Sequence, residues 1–247
     1  MKTVAIIQAR MGSTRLSGKV MKNLLGKTVL AHVIERVKQS KRIDDIVIAT
    51  TVSENDAVIE SEAIRCGVKC YRGSEDDVLS RYYFAAKENE ADIIVRITSD
   101  CPLIDPLVTD KVIEYYKTHD FPYVSSGHPD PMLITFPRGL DTEVFSFQGL
   151  EAAFINVKEL YQREHVTPYF YEDGKRLHFL RNEKNYSKYR WTLDTEADWQ
   201  LITKIYGYLY KGTHNFYMED VVRLMDEHPE LYDINKDIKQ KDYKSNH

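Results

Sequence analysis

Short apolar runs rich in β-branched residues alternate with segments of helical periodicity over the first hundred residues. Four runs have the length of buried strands: TVAIIQA (3–9), DIVIATT (45–51), VKCYRG (68–73) and DIIVRITSD (92–100). Between the runs, apolar side chains recur at helical spacing, as in Val29, Leu30, Val33, Ile34 and Val37. This alternation predicts an α/β fold with a mostly parallel twisted sheet flanked by helices, and residues 1–120 form its core.

The pattern changes after residue 120, where prolines become frequent and two segments alternate between apolar and polar residues. These segments are DTEVFSF (141–147) and LHFLRNE (177–183), with two helical segments between them. We interpret residues 121–187 as an inserted α+β lobe that covers one edge of the sheet. The run KYRWTLD then predicts a return to the core over residues 188–235, with C-terminal helices, and the polar residues 236–247 predict a flexible tail.

Composition excludes several classes of partner. The chain has 34 basic and 38 acidic side chains, and a formal charge of -4 excludes a global positive field that would attract nucleic acid or an anionic membrane. The N-terminal apolar run is broken by Gln8 and Arg10 and is too short for a signal peptide or membrane anchor, so we expect a cytoplasmic protein. The three cysteines, Cys66, Cys70 and Cys101, lack the spacing of a disulfide framework or zinc site and are expected to be core residues.

The loop that follows the first predicted strand has the composition of a phosphate site. In QARMGSTRLSGKVM, three cations and two small residues fall within ten positions: Arg10, Gly12, Ser13, Arg15 and Lys19. Gly12 and Ser13 let backbone amides approach an anion, while the cations can neutralise the charge of a nucleoside triphosphate. A solvated surface position is the alternative for any one of them, but all five together, beyond the end of a strand, favour a binding site.

Two better-known phosphate loops are excluded. GKT at 26–28 resembles the end of a Walker A sequence, but Met21 stands where that sequence requires a glycine and no predicted strand precedes it. The sequence has no G-x-G-x-x-G, so a dinucleotide cofactor has no support.

Carboxylates at the ends of two predicted strands are candidate magnesium ligands. Asp100 ends the apolar run within TSDCPLID, and Asp194 ends KYRWTLD, with Asp198 one helical turn later. Magnesium binds one or two carboxylates together with phosphate oxygens and waters. The alternative for each aspartate, including Asp105, is a helix N-cap or a turn.

These residues resemble the SpsF-like branch of the acylneuraminate and Kdo cytidylyltransferases, the CMP-sugar synthetases. The opening pattern of that family is present at Ala9-Arg10, Gly12-Ser13, Arg15-Leu16 and Lys19. Three further segments are similar to the same branch, namely RGSEDDVLSRY (72–82), PRGLDTEVF (137–145) and REHVTPYF (163–170). The resemblance covers all but the tail and implies a glycosyltransferase-A-like nucleotidyltransferase fold.

The resemblance also implies an activity. The reaction would transfer CMP from CTP to an acidic sugar or sugar-phosphate-like acceptor, with release of pyrophosphate, in surface polysaccharide or glycan biosynthesis. Asp100 and Asp194, the latter within DTEAD, would hold Mg²⁺, and the protein would be a homodimer. Catalysis would use Arg10, Arg15, Lys19 and Asp100. The nucleotide would contact Ala9, Arg10, Gly12, Ser13, Arg15 and Lys19, with its ribose near Gly73 and Asp77.

The inserted lobe is expected to supply the acceptor pocket. Its polar candidates are Arg138, Asp141, Glu143, Glu164, His165 and Arg190. Arginines would suit a carboxylate or phosphate on the acceptor, whereas Glu164 and His165 have the alternative of decorating a helix. Cys101 and Pro102 follow Asp100 where the Kdo enzymes have an acidic residue, which leaves the acceptor undecided.

Two other functions are compatible with this composition. A glycosyltransferase that consumes a nucleotide sugar would usually carry Asp-x-Asp at the strand end, where this chain has Ser99, Asp100, Cys101 and Pro102. A non-catalytic nucleotide-binding subunit of a polysaccharide pathway is the second, and retention of the matched charged residues argues against it.

Overall fold

The computed structural model describes residues 1–13, 15–172 and 177–240, which include a mixed sheet of seven strands and a two-stranded hairpin. Its strands are β1 (Thr3–Gln8), β2 (Asn23–Leu24), β3 (Lys27–Thr28), β4 (Asp45–Thr51), β5 (Lys69–Gly73), β6 (Ile93–Thr98), β7 (Tyr123–Ser125), β8 (Glu143–Ser146) and β9 (His178–Phe179). In the large sheet the order is β5-β4-β1-β6-β8-β7-β9. Strands β5, β4, β1 and β6 are parallel, which confirms the predicted α/β fold.

Helices cover both faces of this sheet. They are α1 (Val29–Val37), α2 (Ala57–Arg65), α3 (Val78–Glu88), α4 (Pro106–Thr118), α5 (Phe147–Asn156), α6 (Leu160–His165), α7 (Pro168–Tyr171), α8 (Glu196–Leu209), α9 (Met218–Glu227) and α10 (Glu230–Asp233). Successive side chains of a strand point to opposite faces. Accordingly, Ala5 and Ile7 of β1 pack with α1, α2 and α4, whereas Val4 and Ile6 pack with α3 and α5.

Two helices, α4 and α8, begin near the carboxyl edge of the sheet. Asp105 accepts hydrogen bonds from the backbone amides of Leu107 and Val108 and begins α4, with Pro106 in its first turn. Thr195 and Asp198 form a reciprocal capping box that begins α8. Asp105 and Asp198 are therefore capping residues, and the segments that begin with Asp100 and Asp194 turn directly into these helices.

The GKT sequence lies in the hairpin rather than in a phosphate loop. Strands β2 and β3 are antiparallel, and Leu25 and Gly26 at the turn both have positive φ, 49° and 90°. Two consecutive positive φ values are typical of a tight hairpin turn.

The region 121–187 extends the sheet and does not form a separate lobe over its edge. Strand β8 pairs antiparallel with both β6 and β7, and β9 pairs parallel with β7. The buried Phe145, Leu150 and Phe170 pack in the same core cluster as Val4 and Ile6 of β1. The strands after residue 121 therefore share the central sheet with residues 1–120, and the division predicted at residue 121 stays a prediction.

Residues 188–194 are extended but are not a strand of the sheet. The backbone amide of Arg138 donates to the carbonyl of Tyr189 at 3.0 Å, and that of Trp191 donates to the carbonyl of Arg138 at 2.7 Å, which forms an isolated bridge. Trp191 and Leu193 are fully buried in a core cluster with α8 and α9. The strand predicted for KYRWTLD is thus an isolated bridge to the loop around Arg138 rather than a strand of the sheet.

Within the ranges that the structure describes, no helix is long and apolar enough to cross a membrane. Cys66 and Cys70 are half-buried at the core, Cys101 is buried, and all three are free thiols.

Candidate active site

A cavity of about 550 Å³ opens beyond the carboxyl ends of β1 and β6. Loop residues after β1 form one side: Ala9, Arg10, Gly12, Ser13, Arg15 and Lys19. Asp100, Cys101, Thr192 and Asp194 line its floor, and residues from 123–171 line its far end. Ligands of open α/β sheets bind at this edge, where the ends of parallel strands converge.

The loop after β1 is fixed by its own backbone and by Asp56. The amide of Met11 donates to Oδ1 of Asp56 at 2.7 Å, and Asp56, which is buried, accepts a hydrogen bond from the hydroxyl of Thr51. The amide of Ser13 donates back to the carbonyl of Met11 at 2.8 Å, and Gly18 adopts a φ of 60°. This arrangement presents Arg10 and Gly12 to the cavity as exposed residues.

Lys19 joins the two strand-end carboxylates. Its Nζ lies 2.8 Å from Oδ2 of Asp100 and 2.8 Å from Oδ1 of Asp194. The three side chains are only 13%, 24% and 10% exposed, so solvent screens these contacts weakly. Arg15 adds a second cation, with its guanidinium 3.3 Å from Oδ1 of Asp194.

The pKa values of Lys19 and Asp100 depend on each other. Burial alone would lower the pKa of Lys19, but Asp100 and Asp194 raise it above the ordinary value. Burial alone would raise the pKa of Asp100, but the Lys19 ammonium and its hydrogen bond hold that pKa below the ordinary value. Near neutral pH Lys19 and Asp100 therefore form an ionised pair.

The two carboxylates fit a magnesium ion. Because one ammonium nitrogen contacts an oxygen of each, a single cation between Asp100 and Asp194 can reach both. The described residues contain no group of three or more His, Cys, Asp or Glu side chains arranged around a metal position. Two carboxylates, with the remaining ligands taken from phosphate and water, are the set that Mg²⁺ prefers.

A buried arginine lies behind Asp194. Arg190 donates from Nη2 to Oδ2 of Asp194 at 2.7 Å and from Nε to Oδ1 of Asp198 at 3.0 Å. Arg190 is 7% exposed and Asp198 is fully buried. Asp194 is thus held from behind through Oδ2, while Oδ1 faces Lys19.

The far end of the cavity contains a network around Glu143. Arg96 forms an ion pair with Glu143, Tyr123 donates its hydroxyl proton to Oε1 at 2.5 Å, and Thr167 donates to the same oxygen at 2.8 Å. These partners occupy both carboxylate oxygens, so Glu143 orders the cavity wall.

Arg138 and Asp141 are the next polar pair along that wall. In the described chain the Arg138 side chain has neither an ion pair nor a hydrogen bond, and it lines the cavity. Asp141 accepts from the backbone amide of Gly139 at 3.1 Å, and burial raises the pKa of its carboxyl above the ordinary value. The guanidinium of Arg138 is therefore available to an anion in the cavity.

Glu164 and His165 also line the cavity, at the end of α6. The next residue, Val166, is fully buried with a φ of 67° and ψ of -52°, and the amide of Thr167 donates to the carbonyl of His165 at 2.7 Å. This is a γ-turn centred on a β-branched residue, a strained conformation that the surrounding packing must maintain. The turn brings Glu164 and His165 to one wall of the cavity, and the hydroxyl of Thr167 donates to Glu143 of the same wall.

A family profile described as cytidylyltransferase matches residues 4–243. This chain belongs to the cytidylyltransferase family. Its resemblance to the SpsF-like branch is confirmed by the relatives. The cytidylyltransferase is 40% identical, over 99% of its length and 98% of the relative's, to an uncharacterized protein of Methanocaldococcus jannaschii. It is 34% identical to the spore coat polysaccharide biosynthesis protein SpsF of Bacillus subtilis, over 81% of this chain and 85% of SpsF.

A solved cytidylyltransferase structure from Leptospira borgpetersenii aligns with a TM-score of 0.88 and 33% identity, covering 98% of this chain and 99% of that chain. The predicted nucleotidyltransferase fold is thus confirmed, and the chain is an enzyme of the cytidylyltransferase class. This assignment favours nucleotidyl transfer over the two alternatives compatible with the composition, a glycosyltransferase and a non-catalytic subunit.

Three residues predicted to touch ligands lie elsewhere in the cytidylyltransferase. Gly73 and Asp77 are not among the described residues that line the cavity. A side chain on Gly73 would meet the ring of Tyr71 at 2.8 Å, so close packing explains this glycine. Asp77 caps α3 and is paired with Arg163, and Arg190 is buried behind Asp194. These contacts engage both side chains, and their assignments to ribose and acceptor stay predictions.

Two arginines of the cavity were missed from the sequence. Arg96 interrupts the apolar run of β6, a signal that could have marked it as functional. Arg81 lies on α3 and is almost fully buried, donating to the carbonyls of Ser74 and Glu75, while its Nε has no hydrogen-bond partner among the described residues. Nothing in the sequence separated Arg81 from an ordinary helix-surface cation.

Proposed function

We propose that this cytidylyltransferase transfers CMP from CTP to an acidic sugar or sugar-phosphate-like acceptor, with release of pyrophosphate and with Mg²⁺. The observation that carries the proposal is the contact of Lys19 with both Asp100 and Asp194. The loop that contains Lys19 also presents Arg10 and Arg15 to the cavity. A triphosphate requires such a surplus of cations, and a bridging metal requires such a pair of carboxylates.

The chain's own residues bind and orient the nucleotide. The loop at Gly12 and Ser13 lies against the phosphates, and Arg10 and Arg15 compensate their charge. Lys19 lies where it can stabilise the negative charge that develops on the departing pyrophosphate. When bound between Asp100 and Asp194, Mg²⁺ would supply charge compensation at the reacting phosphate. Positioning and electrostatics supply the catalysis, so no covalent enzyme intermediate is required.

The far end of the cavity receives the acceptor. Arg138 supplies a guanidinium for a carboxylate or phosphate, since it has no ionic partner of its own in the residues that the structure describes. Asp141, whose carboxyl lies near it, accepts a hydrogen bond from an acceptor hydroxyl. Glu143, Glu164 and His165 complete the wall. A homodimer, a cytoplasmic location and a role in surface polysaccharide synthesis belong to the same proposal.

A pyrophosphate-release assay tests the reaction. It would use Mg²⁺, each of the four ribonucleoside triphosphates, and a panel of sugar acids, sugar phosphates and phosphonates. Release with CTP and one class of acceptor is the expected result. Absence of both release and any thermal shift with CTP would refute the nucleotide site.

Arg138→Ala tests the acceptor end, and Arg181→Ala is the matched control because Arg181 is exposed and lines a different surface depression. A hydrogen-bonded charge contributes about 1.5–3 kcal/mol, so the acceptor KM should rise roughly 10-fold to 100-fold in Arg138→Ala while the CTP KM stays constant. An unchanged acceptor KM would remove Arg138 from the acceptor site.

A further inference from the structure

The hydrogen bonds of Arg190 extend from the cavity floor to the C-terminal segment. Its Nε donates to Asp198 at 3.0 Å, its Nη2 donates to Asp194 at 2.7 Å, and its Nη1 donates to Oε1 of Gln240 at 2.6 Å. All three nitrogens of the planar guanidinium are thus assigned to different residues. A rigid fork held at three points fixes the orientation of each group it contacts.

Asn235 secures the same arginine through its backbone. The side-chain amide of Asn235 donates to the carbonyl of Arg190 at 2.9 Å and to Oδ1 of Asp198 at 2.9 Å. Asn235 is only 4% exposed, so these two bonds form in a dry environment where an unpaired partner would be costly. The segment 235–240, which follows α10, therefore contacts Arg190 at its backbone carbonyl through Asn235 and at its guanidinium through Gln240.

Asp198 completes the arrangement from the start of α8. Its Oδ2 accepts from the backbone amides of Asp194 and Thr195, at 3.0 and 2.9 Å. The main chain and the side chain of Asp194 are both held, and only Oδ1 is directed to the cavity, toward Lys19 and Arg15.

We propose that Asn235 and Gln240 are positioning residues of the proposed metal site, acting on Asp194 through Arg190. The inference rests on the proposed function only in taking Asp194 as a metal ligand. Partners behind a metal ligand orient it, and their removal typically weakens metal binding roughly 10-fold to 100-fold. Gln240 is exposed and also lines the cavity, so the end of the described chain is a wall of the site as well as its support.

The decisive variants leave the catalytic side chains in place. Gln240→Met keeps the length of the side chain but removes the acceptor of Arg190, whereas Gln240→Glu keeps an acceptor oxygen. Lys239→Met is the matched control, since Lys239 is an exposed neighbour that does not line the cavity. Mn²⁺ is titrated calorimetrically into each full-length protein, alone and with CTP, and turnover is measured against Mg²⁺ concentration.

We expect Gln240→Met and Asn235→Ala to weaken Mn²⁺ binding and to raise the Mg²⁺ requirement by roughly tenfold, with the CTP KM at saturating Mg²⁺ unchanged. Gln240→Glu should restore both values, and Lys239→Met should not change them. A purely structural role would lower the Tm while leaving the Mn²⁺ dissociation constant within twofold, and that result would overturn the inference. Asn235→Ala could unfold the protein, in which case the three substitutions at positions 239 and 240 decide.

The two proposals fail in different ways. If the unchanged protein releases pyrophosphate from CTP but the Gln240 variants bind Mn²⁺ normally, the inference is wrong and the proposed function stands. If the unchanged protein binds neither Mn²⁺ nor CTP, the proposed function itself is wrong.

Discussion

Lys19→Met gives the most direct test of the site, because a single nitrogen contacts both proposed metal ligands at 2.8 Å. Removing one partner of a fully buried ion pair lowers the free energy of unfolding by about 3–5 kcal/mol. The loss is smaller here because these side chains are partly exposed. We therefore expect Lys19→Met to lower the free energy of unfolding by about 2–4 kcal/mol at pH 7. For a domain of this size that loss corresponds to a decrease in Tm of about 10 °C.

The pH dependence of this loss follows from Asp100. Lys19 holds the pKa of Asp100 below its ordinary value, so Asp100 contributes stability above its unfolded-state pKa of about 3.9 and loses it as pH falls through the lower folded-state pKa. Lys19→Met removes this contribution. The difference in unfolding free energy between the two proteins should be largest near neutral pH and should shrink below about pH 4. Urea unfolding at a series of pH values measures it.

The affinity for a divalent metal, measured without nucleotide, should rise in Lys19→Met although its stability falls. A divalent ion must displace the Lys19 ammonium from Asp100 and Asp194, and a charge-assisted bond contributes about 1.5–3 kcal/mol, so Lys19→Met should bind Mn²⁺ about 10-fold to 100-fold more tightly. Turnover should nevertheless fall, since the cation proposed to stabilise the departing pyrophosphate is lost. Lys22→Met, which removes a cation that lies over Trp199 at 4.6 Å, is the control for net charge. Unchanged Mn²⁺ affinity in a folded Lys19→Met protein would refute the contact.

Three further predictions concern neighbouring residues. Asp100→Asn should abolish turnover with an unchanged circular dichroism spectrum, because an amide replaces a carboxylate of the proposed metal site; turnover near the normal rate would exclude Asp100 from the mechanism. Arg15→Ala should chiefly raise the CTP KM in steady-state kinetics, and an unaltered CTP KM would separate the loop from the triphosphate. Gly139→Ala should destabilise the protein by about 2 kcal/mol or more in urea unfolding. The reason is that Gly139 has a φ of 102° and its new Cβ would lie 2.7 Å from the backbone of Trp191 and Thr192; a loss within error would show that the loop can shift.

The elements of the first half were predictable because each carries a local signal. The alternation of apolar runs located β1, β4, β5 and β6, and the helical periodicity located α1 between them. The basic loop could be recognised for the same reason: its cations and small residues are contiguous in sequence, so no tertiary information was needed to see them together.

Contacts between segments that are distant in the sequence were harder to predict. The run 188–194 alternates polar and apolar residues as a strand would, yet whether it joins a sheet depends on which backbone lies beside it, and here that backbone is the loop at Arg138. Arg190 has the composition of a ligand-binding residue, but its position behind Asp194 is set by the buried Asp198 and Asn235. Charge alone cannot distinguish an arginine that binds a substrate from one that orients a carboxylate.

The segment 188–194 also sets the geometry between the two ends of the cavity. The backbone amide of Leu193 donates to the carbonyl of Asp100 at 2.7 Å, and the bridge to Arg138 fixes the same segment a few residues earlier. One extended segment therefore connects the proposed acceptor arginine with both proposed metal carboxylates, and its burial beside α8 makes it stiff. The spacing between an acceptor's anionic group and its reacting oxygen must match the fixed distance between Arg138 and the two carboxylates. We expect acceptors of the same charge but different spacing to differ mainly in turnover number, because Arg138 can bind each of them while only one spacing places the oxygen against the phosphate.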